Sequence, residues 1–402
     1  MNARSNLGRM EPDLSPLAAH LAAEGLDGYL VDADSVSSAN QRYLSGFVAE
    51  DPFVTLYAPP ETVLFVNPLE YGRARTESRA DAVRRGEDYD YRARADEVGP
   101  EDATHDVLAA FLAEFDVDAV SVPRRFPVWT ADVLRERDVT VVPDTDDVVE
   151  DVRATKTDAE VEWIRESQRA NEAAMHTAEA LVADADVDAD GRLRHDGEAL
   201  TSERVRREIK ATLLQYDCSP TDTIVACGRA GATPHDTGSG PLRADEPIIV
   251  DIFPRSDETG YFADMTRTFV HGEPPVPVPE WYDLTLEAMD AAIDVIEPGV
   301  TGEAVDDAVC DVYEDAGYAT LRQDATIDTG FIHSTGHGVG LEVHEDPRLG
   351  QRGGELEPGH VVTVEPGLYD PEVGGVRVED LGVVTEDGFE NLTDYPRRLV
   401  VG

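Results

Sequence analysis

Lysine is nearly absent from this chain of 402 residues: only Lys156 and Lys210 occur, and the other basic residues are arginines. Lys and Arg together number 34 against 83 Asp and Glu, for a net charge of −49. That shortage of cations argues against nucleic acid as a partner, because phosphates require them. The acids run through the whole sequence rather than gathering in a tail. A dispersed acidic surface repels itself at low salt and keeps a protein soluble when salt screens it, which predicts a halophile's high-salt cytoplasm. Cysteine is scarce as well. Cys218, Cys227 and Cys310 are too few and too scattered for a disulfide framework or a zinc knuckle. No run of about 18 uncharged apolar residues exists, which excludes a membrane-spanning helix, and no membrane partner is expected. The start, Met1–Leu17, lacks an apolar signal core and carries acids early, so a cytoplasmic location is expected. A nucleophile elbow, a phosphate-cradling loop and a dinucleotide fingerprint are also missing.

What is present divides in two, as the length predicts. Residues 1–152 alternate short apolar runs with helical patterns. Leu26–Ala33, Phe53–Pro59 and Thr62–Pro68 read as strands, and Ala103–Phe115 and Phe126–Arg137 as helices, which predicts an α/β domain. A long polar helix over Asp158–Ala185, capped by Thr157, follows the boundary. Residues 153–402 then carry helices over Ser202–Tyr216 and Pro279–Ile296. A region rich in glycine and short strands begins at Ala319, and the whole predicts an α+β domain. Within Asp184–Thr201, three aspartates and Gly191 mimic the start of a calcium loop. Gly197 stands where the closing glutamate belongs, so a solvated loop is the better reading.

The chemistry concentrates in the second part. Pro247–Val270 holds two apolar runs around the turn-rich SDETG and reads as a β-hairpin. The midpoint of Asp251 and Asp264 falls inside that turn, so hairpin symmetry places them opposite each other, about 5 Å apart at Cβ. His360–Val384 repeats the construction, with Glu365 and Glu379 equidistant from Glu372 in the turn. Acids inside apolar runs are rarely buried unless paired or bound to metal. Between the hairpins, Gly330–Pro347 contains His333, His337 and His344 separated by glycines. The four-residue spacing of His333 and His337 suggests metal binding on a helix, but the glycines oppose a helix there. Four carboxylates and an imidazole suit two hard-to-borderline divalent ions such as Mn²⁺ or Co²⁺ rather than a structural zinc. Two ions about 3.5 Å apart can hold one bridging hydroxide and polarise a carbonyl. From the residues alone, a two-metal hydrolase is expected.

The ordered set ATPHDT (Ala232–Thr237), VDIF (Val250–Phe253), ADMTRTF (Ala263–Phe269), HSTGHGVGLEVHE (His333–Glu345), VEPGLY (Val364–Tyr369) and VRVEDLGVV (Val376–Val384) resembles the pita-bread metallopeptidase superfamily. That group comprises prolidases, Xaa-Pro aminopeptidases, methionine aminopeptidases and creatinase. RATKTDAEV (Arg153–Val161) resembles the opening of the catalytic domain in prolidase-like members, and QRYLSGF (Gln41–Phe47) lies in a part similar to their creatinase-type N-terminal domain. The resemblance implies that Asp251 and Glu379 touch both metals, Asp264 one, and His337 and Glu365 the other. It implies that Glu365 also shuttles a proton, and that His235 and His344 hold the scissile carbonyl and the tetrahedral intermediate. His333 would line the leaving-group side, and Arg377 would position the network. Two divalent ions, foremost Mn²⁺ with Co²⁺, Zn²⁺ or Fe²⁺ as alternatives, a short-peptide substrate and a homodimer are implied with them. The gap of twelve residues between the two aspartates is longer than the family's usual one by an even number, which preserves hairpin parity.

Plainer readings stand beside these. His235 alone is an ordinary surface histidine, His344 with Glu345 could be an exposed ion pair, and Arg377 could simply neutralise Glu379 or Asp380. Cys218 and Cys227 read as small apolar fillers. Three functions compete: cleavage of Xaa-Pro bonds in short peptides, hydrolysis of a non-peptide amide or cyclic amidine of the ectoine type, and a catalytically inactive binding module. The five ligands weigh against the last.

Overall fold

The structure, a computed structural model, describes residues 12–220 and 222–402. Of the stretch read for a signal core, Met1–Glu11 lies outside the described residues. Two compact units divide between Arg153 and Ala154. Among the described residues no helix is long and apolar enough to cross a membrane.

In the first unit a six-stranded sheet takes the order Ala82–Arg84, Glu61–Phe65, Phe53–Ala58, Gly28–Ala33, Ala119–Val122, Thr140–Pro143. Gly28–Ala33 lies parallel to Ala119–Val122 and antiparallel to Phe53–Ala58. Helices Pro100–Glu114 and Val128–Arg135 bring Phe111, Leu112 and Leu134 against Leu30, Leu56 and Val120. This is the expected α/β arrangement. The first of these helices starts three residues earlier than its apolar period suggested, because Pro100 at the first helical position is pre-set for it.

The second unit is built from two sheets, each backed by a pair of helices. Strands Ile224–Cys227, Ile248–Ile252, Met265–His271 and Val400–Val401 form one sheet. Its Ile248, Val250, Ile252 and Phe269 pack on helices Asp158–Ala183 and Ser202–Leu213. The expected cap at Thr157 forms a full capping box with Glu160. The other sheet orders Glu345–Leu349, Gly336–Gly338, Val361–Val364, Asp380–Thr385 and Gly388–Asn391. Val362, Val364, Val376 and Val378 share a core with helices Val278–Val295 and Gly302–Asp315. Strand side chains alternate faces. The residues between those core positions, Asp251, Thr266, Thr363, Arg377 and Glu379, are therefore presented to the side away from the helices. Asp184–Thr201 holds three short strands rather than an open loop, and Asp188 spends its carboxylate on the N–H groups of Asp190 and Arg192.

The two hairpins differ in register. In the second, Val361↔Val383 and Gly367↔Arg377 belong to one continuous register, interrupted where Glu365 and Glu379 face one another. In the first, Asp251 pairs with Thr266 and Arg255 bridges Phe262, which centres the turn between Glu258 and Thr259. Asp264 is thus two residues out of line with Asp251, diagonal to it on the same face rather than directly opposite as symmetry predicted. Ile248 pairs with Phe269 and Ile252 with Met265 in that register, and a slip by one residue would turn the acids into the helix-facing core.

Candidate metal centre

Strand ends and ladder breaks bring the five expected ligands together. One ligand atom from each of Asp264, His337 and Glu379 can be chosen so that all three lie within 4.8 Å of one another. His337 Nε2 is 3.8 Å from Asp264 Oδ2 and 3.3 Å from Glu365 Oε1. Its Nδ1 lies 3.1 Å from the Gly338 carbonyl, which can only accept, so the neutral ring carries its proton there and offers Nε2 to a metal. Asp251 joins through Arg377, whose Nη2 donates to Oδ2 at 2.6 Å. Thr266 Oγ1 donates to Glu379 Oε2 at 2.7 Å. A Cβ at Gly336 would run into the Thr363 carbonyl, so glycine there lets the His337 strand close on its neighbour.

The electrostatics of this cluster are those of a site short of positive charge. Burial, reinforced by the neighbouring carboxylates, pushes Glu379 and Asp264 well above the ordinary carboxyl range. Burial also raises Asp251, against the opposing pull of Arg377. Burial works on Glu365 in the same direction, but the His337 hydrogen bond and the charges of His337, His333 and Arg377 outweigh it and bring Glu365 to about 2. His337 rises in turn, because Glu365 overcomes its desolvation. Asp251 Oδ1 and Asp264 Oδ1 are buried without a hydrogen-bond partner. Buried carboxylate oxygens left unpaired are costly, and divalent cations answer both deficits. The donor set therefore fits the expected pair of ions.

The remaining predicted residues surround this centre. His333 Nδ1 faces the Ser334 carbonyl at 2.8 Å and so carries the proton, while Nε2 accepts from the Tyr369 hydroxyl at 2.9 Å. Arg377 Nη1 donates to the same Tyr369 oxygen at 3.0 Å, making a chain from His333 through Tyr369 and Arg377 to Asp251. The His344 ring sits 4.3 Å from that of His337, edge to face. His235 is exposed on its loop, and its charge bears on both His333 and His344. Burial is the leading cause holding His333 and His344 below the usual histidine range.

One plainer reading holds in part. Arg377 pairs with Asp251 and its charge also acts on Glu379, while Asp380 is held by Arg267 and Arg397. Glu345 makes an ion pair with Lys156, at 2.6 Å and with both side chains buried, so its carboxylate is not part of an exposed pair. Sequence reasoning missed Thr266, Thr363, Tyr369 and the Lys156–Glu345 pair. All but Thr363, which directly precedes one, lie inside the quoted motifs, but a threonine or tyrosine there carries no signal until the register shows what it faces.

The family model described as Metallopeptidase family M24 matches residues 162–386, more than half of the chain. The chain belongs to this metallopeptidase family. A second family model, Creatinase/Prolidase N-terminal domain, matches residues 14–155 of the metallopeptidase. The Xaa-Pro dipeptidase of Pyrococcus furiosus is 33% identical over 258 residues, covering 63% of this chain and 67% of that protein. That of Pyrococcus horikoshii is 27% identical over 94% of this chain and 97% of its own. Among solved structures, the Xaa-Pro dipeptidase from Bacillus anthracis superposes with a TM-score of 0.80 at 26% identity, covering 97% of this chain and 99% of that one. The prolidase from Pyrococcus horikoshii gives 0.78 at 26% identity, over 96% and 99%. This metallopeptidase therefore pairs a creatinase-type N-terminal domain with a pita-bread catalytic domain.

Proposed function

We propose that the chain is a dinuclear metal-dependent hydrolase that cleaves Xaa-Pro bonds in short peptides. The observation that carries this reading is the cluster of Asp264, His337 and Glu379, with unpaired oxygens on Asp251 and Asp264 beside it. The similar proteins are dipeptidases that act on Xaa-Pro bonds, which favours peptide over cyclic-amidine hydrolysis. Asp251, Asp264, His337, Glu365 and Glu379 would hold the two divalent ions, with Mn²⁺ the preferred metal. When bound, such ions polarise the scissile carbonyl and lower the pKa of water toward neutrality.

The chain's own residues do the rest. Glu365 takes the proton of the attacking water and passes it to the leaving amine. His344 and His235 donate to the carbonyl oxygen as it becomes an oxyanion. His333, kept neutral chiefly by burial and oriented by Ser334 and Tyr369, lines the leaving-group side. Arg377 holds Asp251 in place. Residues 153–402 form the catalytic domain, and the enzyme works as a homodimer in a salt-rich cytoplasm.

The test is a substrate panel. Full-length protein purified in high salt and loaded with Mn²⁺ is assayed against Ala-Pro, Gly-Pro, Xaa-Pro tripeptides and ectoine. Release of the residue before proline is expected. Turnover of ectoine alone, or of nothing with both metals bound, would sink the proposal.

A further inference from the structure

Arg267 is the largest fully buried side chain described, and no metal ligand or substrate role accounts for it. A guanidinium has five N–H donors, and here all five are used. Nε donates to the Pro396 carbonyl at 3.1 Å. Nη1 donates to the carbonyls of Thr266 at 2.9 Å and Glu379 at 2.7 Å. Nη2 donates to Asp380 Oδ1 at 2.8 Å and the Tyr395 carbonyl at 2.9 Å.

Those acceptors belong to three parts of the chain. One is the neighbouring Thr266 in the same strand, and another is the ligand-bearing pair Glu379–Asp380. The third is the tail between Asn391 and Val400, which has no regular secondary structure and so needs partners for its carbonyls. The tail answers with a second cation. Arg397 donates from Nη2 at 2.6 Å and Nε at 3.2 Å to Asp380 Oδ2, the same oxygen that accepts from Asn391 Nδ2. Glu379 itself is pinned from several sides. Its N–H donates to the Thr266 carbonyl at 3.0 Å, its carbonyl accepts from Arg267, and its Oε2 accepts from Thr266.

From this geometry we infer that Arg267 and the tail residues Tyr395–Arg397 form a clasp that sets Glu379 for metal binding. They are positioning residues: metal affinity depends on a C-terminal segment that contributes no ligand. The inference rests on the ligand set proposed above. The clasp works through Asp380, whose burial beside Arg267 and Arg397 makes it the hinge between tail and ligand. Outer partners of this kind commonly govern metal affinity by about 10–100-fold.

The test uses the full chain, stripped of metal and titrated with Mn²⁺ alone by calorimetry, with thermal unfolding recorded alongside. Arg397→Met removes the two bonds to Asp380 from a partly exposed side chain, so it is expected to fold and to bind Mn²⁺ about tenfold more weakly. Arg267→Lys keeps the charge but supplies three donors for five acceptors. It is expected to lose more affinity than Arg397→Met, which a role in charge balance alone would not produce. Wild-type affinity in a folded Arg397→Met protein overturns the clasp. Absence of Mn²⁺ uptake by the wild-type chain instead overturns the ligand set beneath it.

Discussion

The two carboxylate hairpins of the catalytic unit look alike in sequence and differ in how the protein finishes them. In the hairpin ending in Glu365 and Glu379, register is continuous across the site, and protein groups already engage both carboxylates: His337 and Thr363 at Glu365, Thr266 at Glu379. In the hairpin carrying Asp251 and Asp264 the acids are diagonal, and each keeps a buried oxygen with no partner. One hairpin is organised by the chain, the other is left for the cations to complete. Preorganisation is thus unevenly shared within one site, and the unevenness can be measured.

The largest effect is expected in the finished hairpin. Glu365→Gln keeps the shape but removes both a ligand charge and the proton carrier, so kcat should fall by at least about 10²–10⁴. Steady-state kinetics beside metal analysis decides this, and a loss below tenfold would break the assigned role.

Protons should speak for each hairpin, since Asp264 in one and Glu379 in the other are both raised. Asp264 is held mostly protonated at low pH by burial and by Glu379, Asp251 and Glu365, so metal must displace that proton to bind. Mn²⁺ affinity should weaken as pH falls, because the raised carboxyl retains its proton to higher pH than an ordinary aspartate. Titration calorimetry in buffers of different ionisation enthalpy should register proton release, and Asp264→Asn should reduce it. Equal release in both proteins would mean that Asp264 holds no proton for the metal to displace.

The smallest effect belongs to the tip of the finished hairpin, where Glu372 pairs with Arg229 at 2.6 Å with both side chains largely exposed. Removing that pair by Arg229→Ala should change stability by no more than about 1 kcal/mol in denaturant unfolding. A larger change would mean that the hairpin's order is imposed from its turn rather than from the site.

Most of this was legible beforehand, for definite reasons. Acids embedded among valines, as at Glu365 and Glu379, violate the apolar pattern, and the violation marks the ligands. Helix caps such as Thr157 are local and easily read. The register of Asp251 was misjudged because SDETG permits more than one turn centre, and long-range strand pairing chose between them. Arg267 and Lys156 stayed silent because their partners lie more than a hundred residues away, at Glu379, Asp380, Tyr395 and Glu345. Nothing local distinguishes a buried cation from an exposed one.

The Lys156–Glu345 pair also has a practical use. Of the two lysines in the chain, Lys210 is exposed and Lys156 has no accessible side-chain surface. Amine-reactive reagents therefore meet a single lysine on the folded protein. Acylation at Lys156 would record each opening of the catalytic unit that frees Glu345, giving a chemical clock for local unfolding with Lys210 as its internal standard.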